Sequence, residues 1–166
     1  MDERRGDEHG MDEHCVEEHG VDEHGVEGGV RAICMALPEV SERVSHGTPA
    51  FYVKKQFVMV WPHGHHDHRF PHLWCAAPAG AQEGFIAGAP ERFFRPPYVG
   101  ARGWLGVRLD GRLDWDELRA ICEDAYRTVA PRKLLAVLDA MPHMATAALL
   151  ERPGNRSAPD DRHERR

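Results

Sequence analysis

The sequence predicts a single small α+β domain held between two tails. Three observations carry that expectation. Residues 102–135, RGWLGVRLDGRLDWDELRAICEDAYRTVAPRKLL, read in order as a strand, a tight turn, an amphipathic helix and a proline stop. Apolar runs of strand length recur upstream, at Ala50–Val53, Phe57–Trp61 and His72–Ala77. Composition changes sharply at both ends, where charge and glycine replace apolar residues.

The N-terminal tail is a degenerate five-residue repeat from Asp7 to Val30, with units DEHGM, DEHCV, EEHGV and DEHGV. A period of five sets successive valines about 140° apart on a helix, so no apolar stripe forms. Five is also odd, so on a strand each residue type alternates faces. Residues 1–25 are therefore expected to be disordered, as an acidic, histidine-rich tail. Its His9, His14, His19 and His24 lie among carboxylates, a composition that binds divalent metal only loosely. The net charge of −6 comes from here: residues 1–29 hold eleven of the 27 acids and two of the 21 basic residues, leaving 16 acids and 19 bases beyond. The body is mildly basic, a balance that permits nucleic-acid binding without requiring it.

The folded domain is expected over residues 26–140. Val26, Val30, Ile33, Cys34 and Leu37 follow helical spacing, so the first helix is placed from Val26 to Leu37, frayed at Gly28 and Gly29 and closed by Pro38. Ser41, Ser45 and Thr48 read as turn and cap residues, with Gly47 and Pro49 marking a loop. Strands Ala50–Val53 and Phe57–Trp61 follow, joined by a Lys54-Lys55-Gln56 hairpin. After a histidine-rich loop comes the strand His72–Ala77, and Pro78 opens a helix to Ala87. In the next strand, from Gly103 to Leu109, Leu105, Val107 and Leu109 alternate with Trp104, Gly106 and Arg108. Asp110-Gly111 is turn chemistry, and Asp114 with Glu117 has capping-box spacing. Leu118, Ile121, Cys122, Ala125 and Val129 share one face of the helix that follows. A last helix, Arg132–Ala140, buries Leu134, Leu135 and Leu138, and residues 141–166 form a flexible tail.

Four segments together carry a resemblance: LPEVSERVSHGTPAFYV (Leu37 to Val53), LWCAAPAGAQE (Leu73 to Glu83), PERFFRPPYVGARGW (Pro90 to Trp104) and the stretch from Arg102 to Leu135. In this order and spacing they resemble the MmcQ/YjbR-like family across about residues 30–138. The resemblance implies a frataxin-like (CyaY-like) "double-wing" fold, an antiparallel sheet with flanking helices, and DNA binding as the family's label. An acidic ridge on the first helix, which the frataxin-like fold suggests for iron, does not carry over: Val30 to Leu37 contains no acid.

The residues for DNA contact are chosen from charge and face. Lys54 and Lys55 sit at a hairpin tip, Arg102 and Arg108 flank Trp104 in an arrangement suited to stacking a base and neutralising phosphate, and Arg69 and Arg95 are the further basic candidates. A second function class is a small-molecule pocket between helices and sheet, lined by Phe51, Trp61, Trp74 and Trp104. A third is metal binding. His63-Gly64-His65-His66-Asp67-His68 reads HxHxDH, similar to the zinc motif of metallo-β-lactamase-fold hydrolases. That fold needs a longer chain and further ligands, whereas only His143 and His163 follow His72, and Arg69-Phe70-Pro71 stands where glycines usually follow the motif. The run is therefore read as coincidental, with adventitious metal binding at His63, His65, His66, His68 and His72 as its limit.

No GxSxG, P-loop or GxGxxG pattern is present, so the chain is read as non-enzymatic and without cofactor. The four cysteines lack CxxC spacing and read as buried, reduced thiols. No apolar run approaches the ~18 residues of a membrane span, and no secretory leader is recognised. A cytoplasmic protein is expected, with DNA or a small ligand as partner and no membrane. Its oligomeric state is left open.

Overall fold

The computed structural model describes residues 25–142, and the two expected disordered tails lie outside them apart from the residues at their inner ends. Six strands form one sheet, in the spatial order 41–45, 48–53, 55–61, 72–75, 105–108 and 93–94, every neighbouring pair antiparallel. The elements run α1 (Gly25–Met35), β1 (Ser41–Ser45), β2 (Thr48–Val53), β3 (Lys55–Trp61), β4 (His72–Cys75), α2 (Ala81–Gly88), β5 (Phe93–Phe94), β6 (Leu105–Arg108), α3 (Trp115–Val129) and α4 (Arg132–Ala140). The α+β class and the antiparallel sheet with flanking helices are as expected.

One face of the sheet carries the main core. Phe51, Val53, Val58, Val60, Leu73, Cys75, Leu105 and Val107 meet Val30, Ile33 and Cys34 of α1 and Leu118, Ile121, Cys122, Ala125 and Tyr126 of α3. The period-two alternation of the strands selects these residues, and the period-3.6 stripe of α3 supplies their counterpart. A register shift between β2 and β3 near Phe51 and Tyr52 marks a bulge, and consecutive Phe57 and Val58 both enter this core. Asp114 caps α3 by accepting from the amides of Asp116 (3.0 Å) and Glu117 (3.1 Å).

The opposite face is uncovered by helices, and it carries its own cluster. Ala50, Met59, Trp61 and Trp74 are buried there, with Tyr52, Phe94, Val99 and Trp104 against them. Gly106 is required on this face: it stands opposite both Trp74 and Phe94, and a Cβ would lie 2.5 Å from the Phe94 ring.

Several sequence expectations are corrected. Residues 41–45 form β1, an edge strand, rather than a turn with caps. Its side chains are largely exposed, so it lacks the apolar alternation that betrays a strand, and only its pairing with β2 defines it. The hairpin loop shrinks to Lys54 alone, at φ +60°, while Lys55 and Gln56 extend β3. Phe93 and Phe94 form a short unforeseen strand on β6. α2 starts at Ala81 rather than Pro78, and β4 ends at Cys75, although Ala76 still donates to Phe57 (2.9 Å). The capping box is half made: the Glu117 carboxylate accepts from Arg92 on the loop ahead of β5.

Candidate functional site

The uncovered sheet face is roofed by two loops. The first, residues 62–71, is the histidine run. His65 and His68 exchange backbone hydrogen bonds of 2.9 and 3.1 Å, closing a tight turn over Gly64, where a Cβ would lie 2.4 Å from the His68 carbonyl. This turn lays the imidazoles on the sheet's aromatics. His65 stacks on Trp61 with centroids 3.8 Å apart and meets Trp74 edge-on at 5.3 Å. His68 stacks on Phe94 at 4.3 Å, and the Arg108 guanidinium sits 4.0 Å above Phe70. The histidines thus serve as aromatic packing, with His63 left exposed. Among the described residues, no group of three or more His, Cys, Asp or Glu is placed to hold a metal ion.

The second loop, residues 95–104, is fixed by Gln82. This buried α2 side chain donates to the carbonyls of Gly100 (2.8 Å) and Trp104. The loop holds Tyr98, Val99, Arg102 and Trp104 opposite the histidine turn, and the Tyr98 hydroxyl reaches His66 Nε2 at 3.3 Å across the gap.

Between the loops and the sheet lies a cavity of about 680 Å³, within the range of small-molecule sites. Met59, Trp61 and Trp74 form its floor, and Lys55, His65, Tyr98, Arg102 and Trp104 are among its walls. Trp61 and Trp74 are only 7% and 5% exposed, yet neither indole nitrogen has a hydrogen-bond partner. His65 Nδ1 and His72 Nε2 are likewise buried and unpartnered. Leaving such a group unsatisfied costs about 1–3 kcal/mol, so four in one cluster mark a place where something else supplies partners. Backbone strain collects here as well. Of the five non-glycine residues at positive φ among the described residues, His46, His66 and Tyr98 line the cavity, and Lys54 adjoins Lys55.

The pocket expected from the sequence is therefore present in part and lies on the other side of the sheet. Trp61, Trp74 and Trp104 line it, whereas Phe51 points into the helix-side core. Of the basic residues singled out, Lys55 and Arg102 reach the cavity and Lys54 stands beside it. Arg69 is exposed on the histidine turn, and Arg95 packs its stem on Gly100. Arg108 is held bidentately by Asp110 at 2.9 and 2.7 Å, which keeps that carboxyl below the usual range and leaves little of the guanidinium for a phosphate. Sequence reading missed Tyr98, Val99 and Gln82. The loop's PPYVG composition is a turn signal, but it says nothing of which face the loop covers.

His72 shows the electrostatic character of this face. Its Nδ1 lies 2.8 Å from the Phe70 carbonyl, which can only accept, so Nδ1 carries the proton and Nε2 is bare. Burial, partly offset by that bond and reinforced by His68 and His65, holds its pKa below the ordinary histidine value. Above about pH 6.5 both folded and unfolded rings are neutral; below it the unfolded chain takes up a proton that the folded ring resists. Stability should therefore fall as pH drops from about 6.5, by at most ~1.4 kcal/mol per unit from this ring. Urea melts at pH 7 and pH 5 check this: the acid loss should be smaller in His72→Phe, and an identical loss in both would assign the effect elsewhere.

No thiol is poised as a nucleophile here. Cys34, Cys75 and Cys122 are free and buried, and the thiols of Cys34, by its contact with Cys122 and then by burial, and of Cys75, first by burial and then by Cys122 and Asp124, are pushed well above the ordinary range. Among the described residues, no helix is long and apolar enough to cross a membrane.

The sequence of this domain finds its counterpart in a known family. The YjbR family model matches residues 35–128, from the end of α1 to the last turn of α3. The chain belongs to the YjbR family. A similar solved structure is the crystal structure of Deinococcus radiodurans protein DR2400, with family-model domain DUF419. It matches with a TM-score of 0.52 and 17% identity, over 70% of this chain and 90% of its own. That likeness speaks for the YjbR fold alone. No curated protein matches the sequence.

Proposed function

We propose that this YjbR-family chain is a non-enzymatic binding protein that receives a small molecule in the aromatic cavity on its uncovered sheet face. One observation carries the reading: a cavity of ligand size, floored by two buried tryptophans whose indole N–H groups have no partner. Tryptophan N–H is a donor only, so a ligand offering an acceptor relieves a cost the free protein bears. The positive-φ residues around the rim fit a site shaped in advance for an occupant. Its three buried free thiols fit a reducing, cytoplasmic setting.

A second reading is favoured by a different observation. Lys55, Arg102 and half-buried Trp104 share one rim, with exposed Lys54 next to Lys55 in the chain, so a DNA backbone could be neutralised while a base stacks.

One pair of titrations on the full chain separates the two. 2-Naphthamide, a flat neutral probe with a carbonyl acceptor, should quench tryptophan emission, and Val99→Trp, which fills the cavity, should remove the effect. Labelled duplex and single-stranded DNA should show at most weak, salt-sensitive anisotropy changes. Absence of quenching, together with DNA affinity that falls in log–log fashion with salt, would replace the pocket by the nucleic-acid reading.

A further inference from the structure

The cavity's chemistry is selective, and its selectivity names a ligand class. We infer that the molecule it takes is a flat aromatic anion, with acceptor atoms facing the Trp61 and Trp74 indoles and its negative group at the rim made by Lys55 and Arg102. This rests on the pocket reading above and goes one step past it.

Shape comes first. Three indoles, a phenol and three imidazoles surround the space, and such faces favour a planar ring over a bulky saturated one. Hydrogen bonding comes next. Of the four unpartnered buried polar atoms of this cluster, His65 Nδ1 belongs to the wall, His72 is not among the lining residues, and the two on the cavity floor are indole nitrogens, which can donate and never accept. A ligand with only donors would leave them unpaired and add its own unpaired groups. Charge completes the selection. Among the described residues, not one Asp or Glu lines the cavity, while Lys55 and Arg102 do. Among the described residues neither of these two makes an ion pair, in contrast to Arg31, Arg92, Arg108, Arg119 and Arg127, each of which is held by a carboxylate. A cationic ligand would meet two like charges and no counter-charge. An anion would meet two unpaired cations beside apolar walls that weaken screening.

The remaining titratable groups at the site do not reverse this. His46 and His66 are exposed imidazoles at the rim, and the pKa of His65 is held below the ordinary histidine value by burial, then by His66 and His46. Protonation of the rim histidines would only add positive charge.

Four probes of matched size test the inference on the full chain, by quenching of tryptophan emission and by the rise in thermal midpoint. They are 2-naphthoate, 2-naphthamide, 2-naphthylmethylammonium and cyclohexanecarboxylate. The expected order is naphthoate first and amide second. The ammonium should bind at least about tenfold more weakly than naphthoate, and the gap should narrow as salt rises. Cyclohexanecarboxylate, an anion without a flat ring, should bind more weakly than naphthoate. In the double variant Lys55→Gln/Arg102→Gln, naphthoate and its amide should bind alike. Equal affinity for acid, amide and ammonium overturns the inference and leaves the pocket reading standing. A preference that survives the double variant overturns the assignment to Lys55 and Arg102. Binding by none of the four takes down the pocket reading itself.

Discussion

Trp74→Ala should lower the unfolding free energy by about 3–5 kcal/mol and abolish naphthamide binding together. Trp74 sits at the centre of the sheet, paired with Met59 on one side and Gly106 on the other, and its indole lies 5.1 Å from that of Trp61. Deleting it opens a void under the histidine turn, because Trp61 and His65 lose the surface against which they stack. For a domain of this size the loss is a large share of a total of roughly 5–15 kcal/mol. Trp74→Phe separates the two roles. It keeps most of the apolar volume and removes an N–H that has no partner, so stability should change by less than about 1.5 kcal/mol while ligand affinity drops. Urea melts read beside the quenching titration check both variants. A Trp74→Phe protein that binds naphthamide as the parent does would show that the indole N–H is not what the ligand meets.

Tyr126→Ala should cost a similar ~3–5 kcal/mol with the opposite functional signature. Tyr126 is fully buried on α3, edge-on to Phe57 at 5.7 Å, and its hydroxyl donates to the Pro38 carbonyl at 2.9 Å. It therefore ties the loop after α1 to α3 and to the bulged start of β3 on the helix-covered side. Tyr126→Phe removes only the hydroxyl and strands the carbonyl, for about 1–2 kcal/mol. Because neither Tyr126 nor its partners Phe57 and Pro38 line the cavity, the fraction that stays folded should bind naphthamide with parental affinity. Affinity that falls in step with stability would mean that the two faces are coupled through the sheet.

Much of this protein is written locally. The α3 segment is legible because its cap, its stripe and its stop agree: Asp114 does accept the first amides, and Leu118, Ile121, Cys122 and Ala125 do face the core. Leu105 and Val107 show their face by alternation alone. β1 is illegible for the converse reason. An exposed edge strand needs no apolar pattern, so Ser41–Ser45 carries no local sign of the partner that makes it a strand. The capping box failed at Glu117 because a distant arginine, Arg92, offers that carboxylate a stronger partner than its own helix amide.

The site divides in the same way. The tryptophans that floor it stand out in the sequence, as do the lysines and arginine at its rim, since those residue types suit stacking and charge. Which face they occupy does not. Trp61 and Trp74 alternate with residues as apolar as themselves, so burial on both faces erases the period-two signal that would separate them from Phe51. The histidine run looks like a ligand set because spacing is all a sequence offers. In three dimensions a two-residue bridge between His65 and His68 turns the rings onto aromatic neighbours instead. By itself the sequence determined the class of fold and the helix-facing core, which follow from short-range periodicity and turn chemistry, and four of its segments carried the family resemblance. Only the tertiary structure decided that two loops, one pinned by Gln82, close over the second face and leave unpartnered indoles at its floor, because that depends on contacts between residues far apart along the chain.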